Sequence, residues 1–408
     1  MRVLHVVPSL SVRTGGPAVE VTELSLALGR LGIESSVVAT DMAKPAQAWD
    51  HRRVTSDDLP ASFAALDGQL YRTQRPYRLA FAPDLNRVLR CTMALYDVVH
   101  IHSLFLYPQL SAYRHAWKEG VPYVVSPHGA LDPYLRRRGR VRKAVVGALW
   151  QNTMLARAAA LHLTSDEEAR LVEDIAPKVP HLVVPNGIDW ERFQALPRDR
   201  WFREHFLGGS NGPIVMNVGR VSQKKGLDVL IRSFARVVRE IPNSWLALVG
   251  PDDEGLGREL KRLAADSGVE GRVIFTGMLT GDAMLAALAA ADVWALPSHT
   301  ENFGLAVVEA LAAARPVVIS PAVNIAPAIS SAAAGVVCEQ SPEPLAREIV
   351  SLLNSPERRR VLGERGRAFA RHYDWPVIAV ELAAMYANAA KLHSSHSRHR
   401  TREGLTGQ

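Results

Sequence analysis

The chain has 408 residues, 48% hydrophobic and 22% charged, with a net charge of +7, which fits two or three domains of ordinary globular composition. Cys91 and Cys338 are the two cysteines; they lie far apart without metal-like spacing and read as reduced core residues, which suits the cytosol. No window reaches ~18 uncharged apolar residues, which argues against a spanning helix, and the charge favours acidic partners: nucleotide phosphates, anionic lipid or nucleic acid.

The chain enters a strand at once, Val3 to Val7, which predicts no signal peptide. Thr14-Gly15-Gly16-Pro17 follows, then an amphipathic helix over Ala18 to Leu31 and a strand over Ile33 to Thr40. Strand, glycine turn, helix, strand is a parallel βαβ unit. Gly15 and Gly16 would let a ligand approach backbone N–H groups at the helix start, and a tight turn without a ligand reads equally well. Residues 42 to 83 carry no assignable pattern.

Asp97 to His102 is a strand ending in His100 and His102, which point to one face. No third metal ligand is evident, so they read as lining or core histidines. Val121 to Ser126 is a strand closed by Pro127-His128-Gly129, and a strand-end histidine before glycine sits where α/β sheets bind ligands. Arg136 to Lys143 holds six basic residues in eight and precedes the apolar Ala144 to Trp150. That pairing resembles a membrane-surface element; a solvated loop is the plainer reading, and no nucleic-acid motif accompanies it. Ala159 to Ser165 is a strand, with Ser165 and Glu168 spaced as a capping box. His181 to Pro185 closes the first half.

A second sheet starts at Pro213 to Gly219. Arg220, Lys224 and Lys225 follow, before a helix over Leu227 to Glu240. Cations after a strand and beside a helix N-terminus suit a diphosphate, with Lys224 expected at the surface. Trp245 to Gly250 is a strand, and its acid cluster Asp252-Asp253-Glu254 reads as a solvated loop, because the spacing is wrong for a metal motif. Arg272 to Thr276 is the next strand, leading into Gly277-Met278-Leu279. Asp292 to Leu296 is a short buried strand, Ser298 to Asn302 a loop, and Gly304 opens an apolar helix through Ala313. Its N-terminus is a natural anion site. Glu301 and Glu309 frame this unit. Glu301 could cap the helix and Glu309 pair with an arginine, or both could meet the hydroxyls of a sugar and a ribose. Pro316 to Ser320 is a strand, and helices are predicted over Glu343 to Leu353, Arg358 to His372 and Asp374 to Ala390.

The run Glu301-Asn-Phe-Gly-Leu-Ala-Val-Val-Glu309, a Glu-x7-Glu motif, resembles the signature of the family 4 retaining glycosyltransferases, and the likeness extends over nearly the whole chain. It implies an α/β GT-B fold, two Rossmann-like domains facing across a cleft. Residues 1–190 would bind the acceptor, 191–212 form a hinge, 213–372 bind the donor and 373–390 cross back, with 391–408 a disordered basic tail.

The resemblance implies retaining, metal-independent transfer of a hexose from a nucleotide sugar, with no cofactor. It assigns Arg220 and Lys225 to the diphosphate, Glu309 to the ribose, Glu301 with Asn302, Phe303, Gly304 and Leu305 to the sugar, and His128 to the sugar–phosphate region. Gly15, Gly16 and Gly219 would line the site, and Met278 and Leu279 meet the base. The basic run and the patterns His100 to His102 and Ser126 to Asp132 look like the branch that builds bacterial surface polysaccharide. A lipid-linked or saccharide acceptor, an anionic membrane face and a cytoplasmic, peripheral location follow, without nucleic acid. The alternatives are a nucleotide-sugar 2-epimerase of the same architecture and a non-catalytic sugar-nucleotide-binding protein of polysaccharide assembly. Two departures stand out: Ala314 replaces a usual glycine at a helix end, and Asn324 stands in the loop that usually carries Gly-Gly near the phosphates.

Overall fold

Alternating strand and helix patterns fold this chain, seen in a computed structural model, into two parallel sheets. The structure describes residues 1–14, 16–43, 52–136, 140–252 and 254–405. Gly15, Arg137, Arg138, Gly139 and Asp253, all singled out above, lie outside the described residues.

The first unit comprises Met1–Gly187 and the chain from Trp375 onward. Its strands are β1 (Arg2–Ser9), β2 (Glu34–Thr40), β3 (Asp67–Tyr71), β4 (Val98–His102), β5 (Tyr123–Ser126), β6 (Ala160–Leu163) and β7 (His181–Val183). They pair in the order 3-2-1-4-5-6-7. The helix α1 (Gly16–Arg30) follows β1, and the short α2 (Asp166–Leu171) follows β6.

The second unit, Ile188–Asp374, has β8 (Ile214–Val218), β9 (Trp245–Val249), β10 (Val273–Gly277), β11 (Val293–Leu296), β12 (Val317–Ile319) and β13 (Val336–Val337), in the order 10-9-8-11-12-13. Its helices α3 (Leu227–Glu240) and α4 (Leu305–Ala312) follow β8 and β11. In both units the strand order reverses beside the first strand, and α/β sheets bind ligands at the carboxyl ends flanking that reversal. Near-continuous apolar strands such as Val-Trp-Ala-Leu in β11, buried throughout, suit sheets covered on both faces.

Three segments differ from expectation. The stretch 191–212, read as a hinge, contains a helix, Arg200–Leu207, that buries Phe202 and Leu207 in the second unit's core. The chain changes unit at Gly187, where a β-carbon would lie 2.4 Å from the Trp375 ring. The last helix, α5 (Trp375–Leu405), continues past Ala390 through residues composition gives to an unstructured tail. Its Trp375, Ile378, Leu382 and Tyr386 join the apolar core of Val3, Val98 and Val124. Cys91 is exposed rather than in the core, and Cys338 is half-buried; both are free thiols.

Ala314 keeps the turn that glycine favours. Its φ is +55°, and Ala314 N–H donates to Leu311 O while Arg315 N–H donates to Ala310 O, the pattern of a Schellman cap on α4. An alanine there carries left-handed strain of roughly 1 kcal/mol. Ala314→Gly is expected to raise the second unit's stability by about 0.5 kcal/mol after the loss of alanine's chain stiffness. A thermal-unfolding comparison checks this, and a lower melting point would contradict it.

Candidate functional site

In the second unit, the residues after β8 and those after β11 meet at the point of strand-order reversal. Gly219, at φ +149°, turns the chain out of β8, and the Lys225 stem passes over it: a β-carbon on Gly219 would lie 3.5 Å from Lys225 Cε. Gln223–Lys225 forms one 3-10 turn, and Gly226, at φ +62°, starts α3. The buried Lys225 ammonium donates to Glu301 Oε2, while Lys224 Nζ lies 3.6 Å from Glu301 Oε1. Lys224 is therefore half-buried in the site rather than at the surface. Arg220 is exposed, close enough for its charge to act on Lys225.

Burial raises the Glu301 carboxyl, yet Lys225 and Lys224 outweigh burial and hold it at about 2. Burial lowers the Lys225 ammonium against the pull of Glu301. The loop is laced to its neighbours: His299 N–H donates to Lys224 O at 2.7 Å, Glu301 N–H to Ala322 O at 3.0 Å, and Asn324 N–H to Glu301 O at 3.0 Å. Asn324 thus supports Glu301 through its backbone.

Gly304, at φ +88°, lets the chain turn into α4; a β-carbon would crowd Val323 at 3.1 Å and Val307 at 3.2 Å. Phe303 is core, 3% exposed, with its ring 5.6 Å from that of Tyr373, so only its backbone faces the turn where Asn302 and Leu305 stand. The first N–H groups of α4 have no partner inside the helix.

Glu309 lies deeper on α4, half-buried, and its carboxyl makes no hydrogen bond or ion pair among the described residues. Burial pushes its carboxyl up to about 7, with Arg192 pulling back. The structure therefore gathers Gly219, Arg220, Lys224, Lys225 and Glu301 directly, and joins Glu309 to them only through α4. Met278 follows β10, 45% exposed, beside the partly buried Leu279. Asp252 accepts from Leu256 N–H at 2.9 Å and Gly257 N–H at 2.8 Å, and Glu254 accepts from Gln223 N–H at 3.1 Å, so both carboxylates serve the loop.

The first unit holds a cluster that pattern reading half-missed. His100 and His102 are fully buried, and His5, His128 and His162 join them. His5 is the register partner of His100 across β1 and β4, so the third histidine was present in the sequence once those strands are paired. The ring nitrogens of His5, His100 and His102 come within 4.8 Å of one another. Burial is the main cause that lowers all five imidazoles, His5 and His128 to about 3 and His162 to about 4, so the cluster is neutral.

His128 has φ +49°, with its ring turned inward: Nε2 lies 3.0 Å from His102 Nδ1, and Nδ1 3.6 Å from Glu20 Oε2. Glu168 was expected to complete a capping box, and Ser165 Oγ does accept its N–H at 3.1 Å. Its carboxylate instead accepts from Thr164 N–H at 2.8 Å and Gly129 N–H at 3.2 Å, tying the His128 loop to α2. Gly16, exposed, starts α1 with open space around it.

Comparison with known proteins adds three findings. Residues 15–187 match the family described as Glycosyl transferase 4-like domain, and residues 199–369 match Glycosyl transferases group 1. The chain is 30% identical over 391 residues to a D-inositol 3-phosphate glycosyltransferase of Nocardia farcinica, covering 92% of this chain and 85% of that one. It is 26% identical to a second D-inositol 3-phosphate glycosyltransferase, from Catenulispora acidiphila, over 92% of this chain and 90% of that one. Among solved structures it resembles Anabaena HepE in complex with UDP and glucose, at a TM-score of 0.74 and 20% identity, covering 95% of this chain and 99% of that one. It also resembles WaaG, a glycosyltransferase involved in lipopolysaccharide biosynthesis, at 0.65 and 18%, over 95% and 99% of the two chains.

Proposed function

This chain belongs to the group 1 glycosyl transferases of GT-B fold, and on that premise we propose that it moves a hexose from a nucleotide sugar to an acceptor hydroxyl with retention of configuration. The observation that carries the reading is the cationic cluster at the β8/β11 reversal, where Lys225 and Lys224 flank one carboxylate beside a helix N-terminus and the Arg220 charge acts on Lys225. A departing nucleoside diphosphate gains charge as its bond to the sugar breaks, and fixed cations in a partly dry site stabilise that charge. The acceptor attacks the face the phosphate leaves, and the phosphate takes the acceptor proton. The protein contributes position and charge.

Glu309 takes the ribose diol, Glu301 with residues 302–305 the sugar, Met278 and Leu279 the base, and His128 the sugar–phosphate region, with Gly15 and Gly16 lining the site. The test is donor turnover with UDP-, GDP- and ADP-sugars. Glu309→Ala is expected to lower it at least about tenfold while the protein stays folded; unchanged turnover removes that assignment. Because the Glu309 carboxyl titrates near 7, its ionised, hydroxyl-accepting form is lost as pH falls through that value. Nucleotide-sugar affinity should weaken from pH 8 to pH 6 in the wild type and stay flat in Glu309→Gln, read by calorimetry.

For the acceptor, the lipid-linked reading draws on one surface. Arg140–Val146, a π-turn Gly147–Gln151 and Asn152–Ala156 follow one another, and Val141, Val145 and Leu149, spaced four apart, are 80%, 53% and 74% exposed. Beside them an open pocket of about 580 Å³ is lined by Phe105, Leu131, Arg136, Lys143 and Ile175. An apolar stripe in a basic stretch suits the face of an anionic bilayer, although no described helix is long and apolar enough to cross one. Flotation with anionic vesicles should recover the wild type and lose Leu149→Glu; equal recovery from neutral vesicles would contradict the charge argument. The D-inositol 3-phosphate relatives favour a second reading, a phosphorylated cyclitol acceptor, which predicts transfer to inositol phosphate without vesicles.

A further inference from the structure

Five neutral histidines in the first unit form two hydrogen-bonded chains, and the partners at their ends fix which nitrogen carries each proton. In the first chain, His162 Nε2 faces Val184 O at 2.8 Å, and a carbonyl can only accept. His162 Nδ1 is then bare and accepts from Ser126 Oγ at 2.7 Å. Ser126 in turn accepts from His100 Nε2 at 2.7 Å, and His100 Nδ1 accepts from the Tyr386 hydroxyl at 2.8 Å. His100 and His162 are Nε2–H tautomers.

The second chain runs the other way. His5 Nε2 is buried with no partner among the described residues, and an orphaned lone pair costs less than an orphaned N–H. The proton therefore sits on His5 Nδ1, which donates to His102 Nε2 at 3.1 Å. His102 Nδ1–H donates to His128 Nε2 at 3.0 Å, and the rings of His102 and His128 stack at 5.3 Å. His128 Nδ1–H then points at Glu20 Oε2, 3.6 Å away; burial and the neighbouring Glu168 push the Glu20 carboxyl up to about 8, so it meets the imidazole as a neutral acid whose carbonyl oxygen accepts.

We propose that Glu20, His102 and His5 are positioning residues for His128, a column that runs one way from His5 to the Glu20 carboxyl and holds His128 in its Nδ1–H form, with both ring nitrogens directed inward. The consequence for catalysis rests on the assignment of His128 above; the proton arrangement does not. A metal ion on His5, His100 and His102 is the competing occupant. It would have to displace the bonds to Tyr386, Ser126 and His128, and it would find no carboxylate among its three ligands.

The nitrogen-15 spectrum of histidine-labelled protein, assigned through single variants, tests the column without any assay. His5, His102 and His128 are expected as Nδ1–H tautomers, and His100 and His162 as Nε2–H. An Nε2–H or imidazolium form at any of the first three, or one equivalent of bound zinc by elemental analysis, overturns the proposal. Glu20→Leu should move the His128 and His102 signals and lower kcat about tenfold at unchanged donor KM, while Glu20→Gln, which keeps an acceptor, stays within about threefold. Unmoved signals in Glu20→Leu also overturn it. If the wild type shows these tautomers but turns over no nucleotide sugar, the column stands and the proposed function falls.

Discussion

Lys225→Ala is expected to lower both turnover and stability, for two separable reasons. The ammonium donates to Glu301 Oε2, and each residue is 9% exposed. Without it, Glu301 keeps only Lys224, 3.6 Å away and 25% exposed on its side chain. Removing one member of a buried pair strands the other charge, at a cost of about 3 kcal/mol. The loss should appear as an earlier denaturant midpoint for the second unit. Turnover should fall by at least an order of magnitude through the missing cation at the diphosphate.

The double variant Lys225→Met/Glu301→Gln divides the two effects. With neither charge present, no ion is stranded, and stability should return to within about 1 kcal/mol of the wild type. Turnover should stay as low as in the single variant. A recovered activity would detach the pair from the chemistry. The pH dependence has a definite sign. Because the folded Glu301 carboxyl sits at about 2, below its usual range, the pair's contribution is present above about 4.5 and lost as pH falls towards 2. Glu301→Gln should flatten that part of the acid-unfolding curve relative to the wild type.

Most of the sheet architecture was legible because each strand is an apolar run closed by glycine, proline or a polar turn. The helix Leu227–Glu240 falls where its periodicity places it. What escaped lacked such a signal. The edge strand Asp67–Tyr71 reads Asp-Gly-Gln-Leu-Tyr, only half-buried, and Val336–Val337 is two residues long. The helix Arg200–Leu207 was hidden among the prolines, glycines and charges that suggested a hinge, and its buried Phe202 and Leu207, with Phe206 packed alongside, tie it to the core.

The cluster of cations around Glu301 was legible for a different reason. Arg220, Lys225 and Glu301 each follow a strand, and strand order alone brings strand ends together. The ion pair between Lys225 and Glu301 was not legible, since it depends on two loop conformations across 76 positions. Glu20 escaped because an acid on an amphipathic helix reads as surface, and Glu168 was read as a capping-box residue only; both are 3% exposed, committed to the His128 loop.

Gly226→Ala is the variant expected to do the most damage per atom. Gly226 sits at φ +62°, and a β-carbon there would lie 2.0 Å from Pro297 O and 3.0 Å from Pro297 C. That carbonyl is held in place by Gln340 Nε2 at 2.6 Å and ends the buried strand β11, so neither wall can yield cheaply. The added methyl must push the Lys224–Lys225 turn away from the start of the Glu301 loop. The bond from His299 N–H to Lys224 O, 2.7 Å, is the first that would break.

A displacement of about 1 Å at a reacting centre costs on the order of 100-fold in rate, and strain of this kind costs about 3 kcal/mol in stability. Gly268→Ala is the control. Its φ is +72°, yet nothing lies within 4 Å of the added carbon. It carries the left-handed cost alone, roughly 1 kcal/mol, and should leave turnover unchanged. If the two variants lose activity equally, the fault lies in global stability. If Gly226→Ala alone fails while a thermal melt shows its second unit folded at assay temperature, the close approach of the two loops is what places the cations against Glu301.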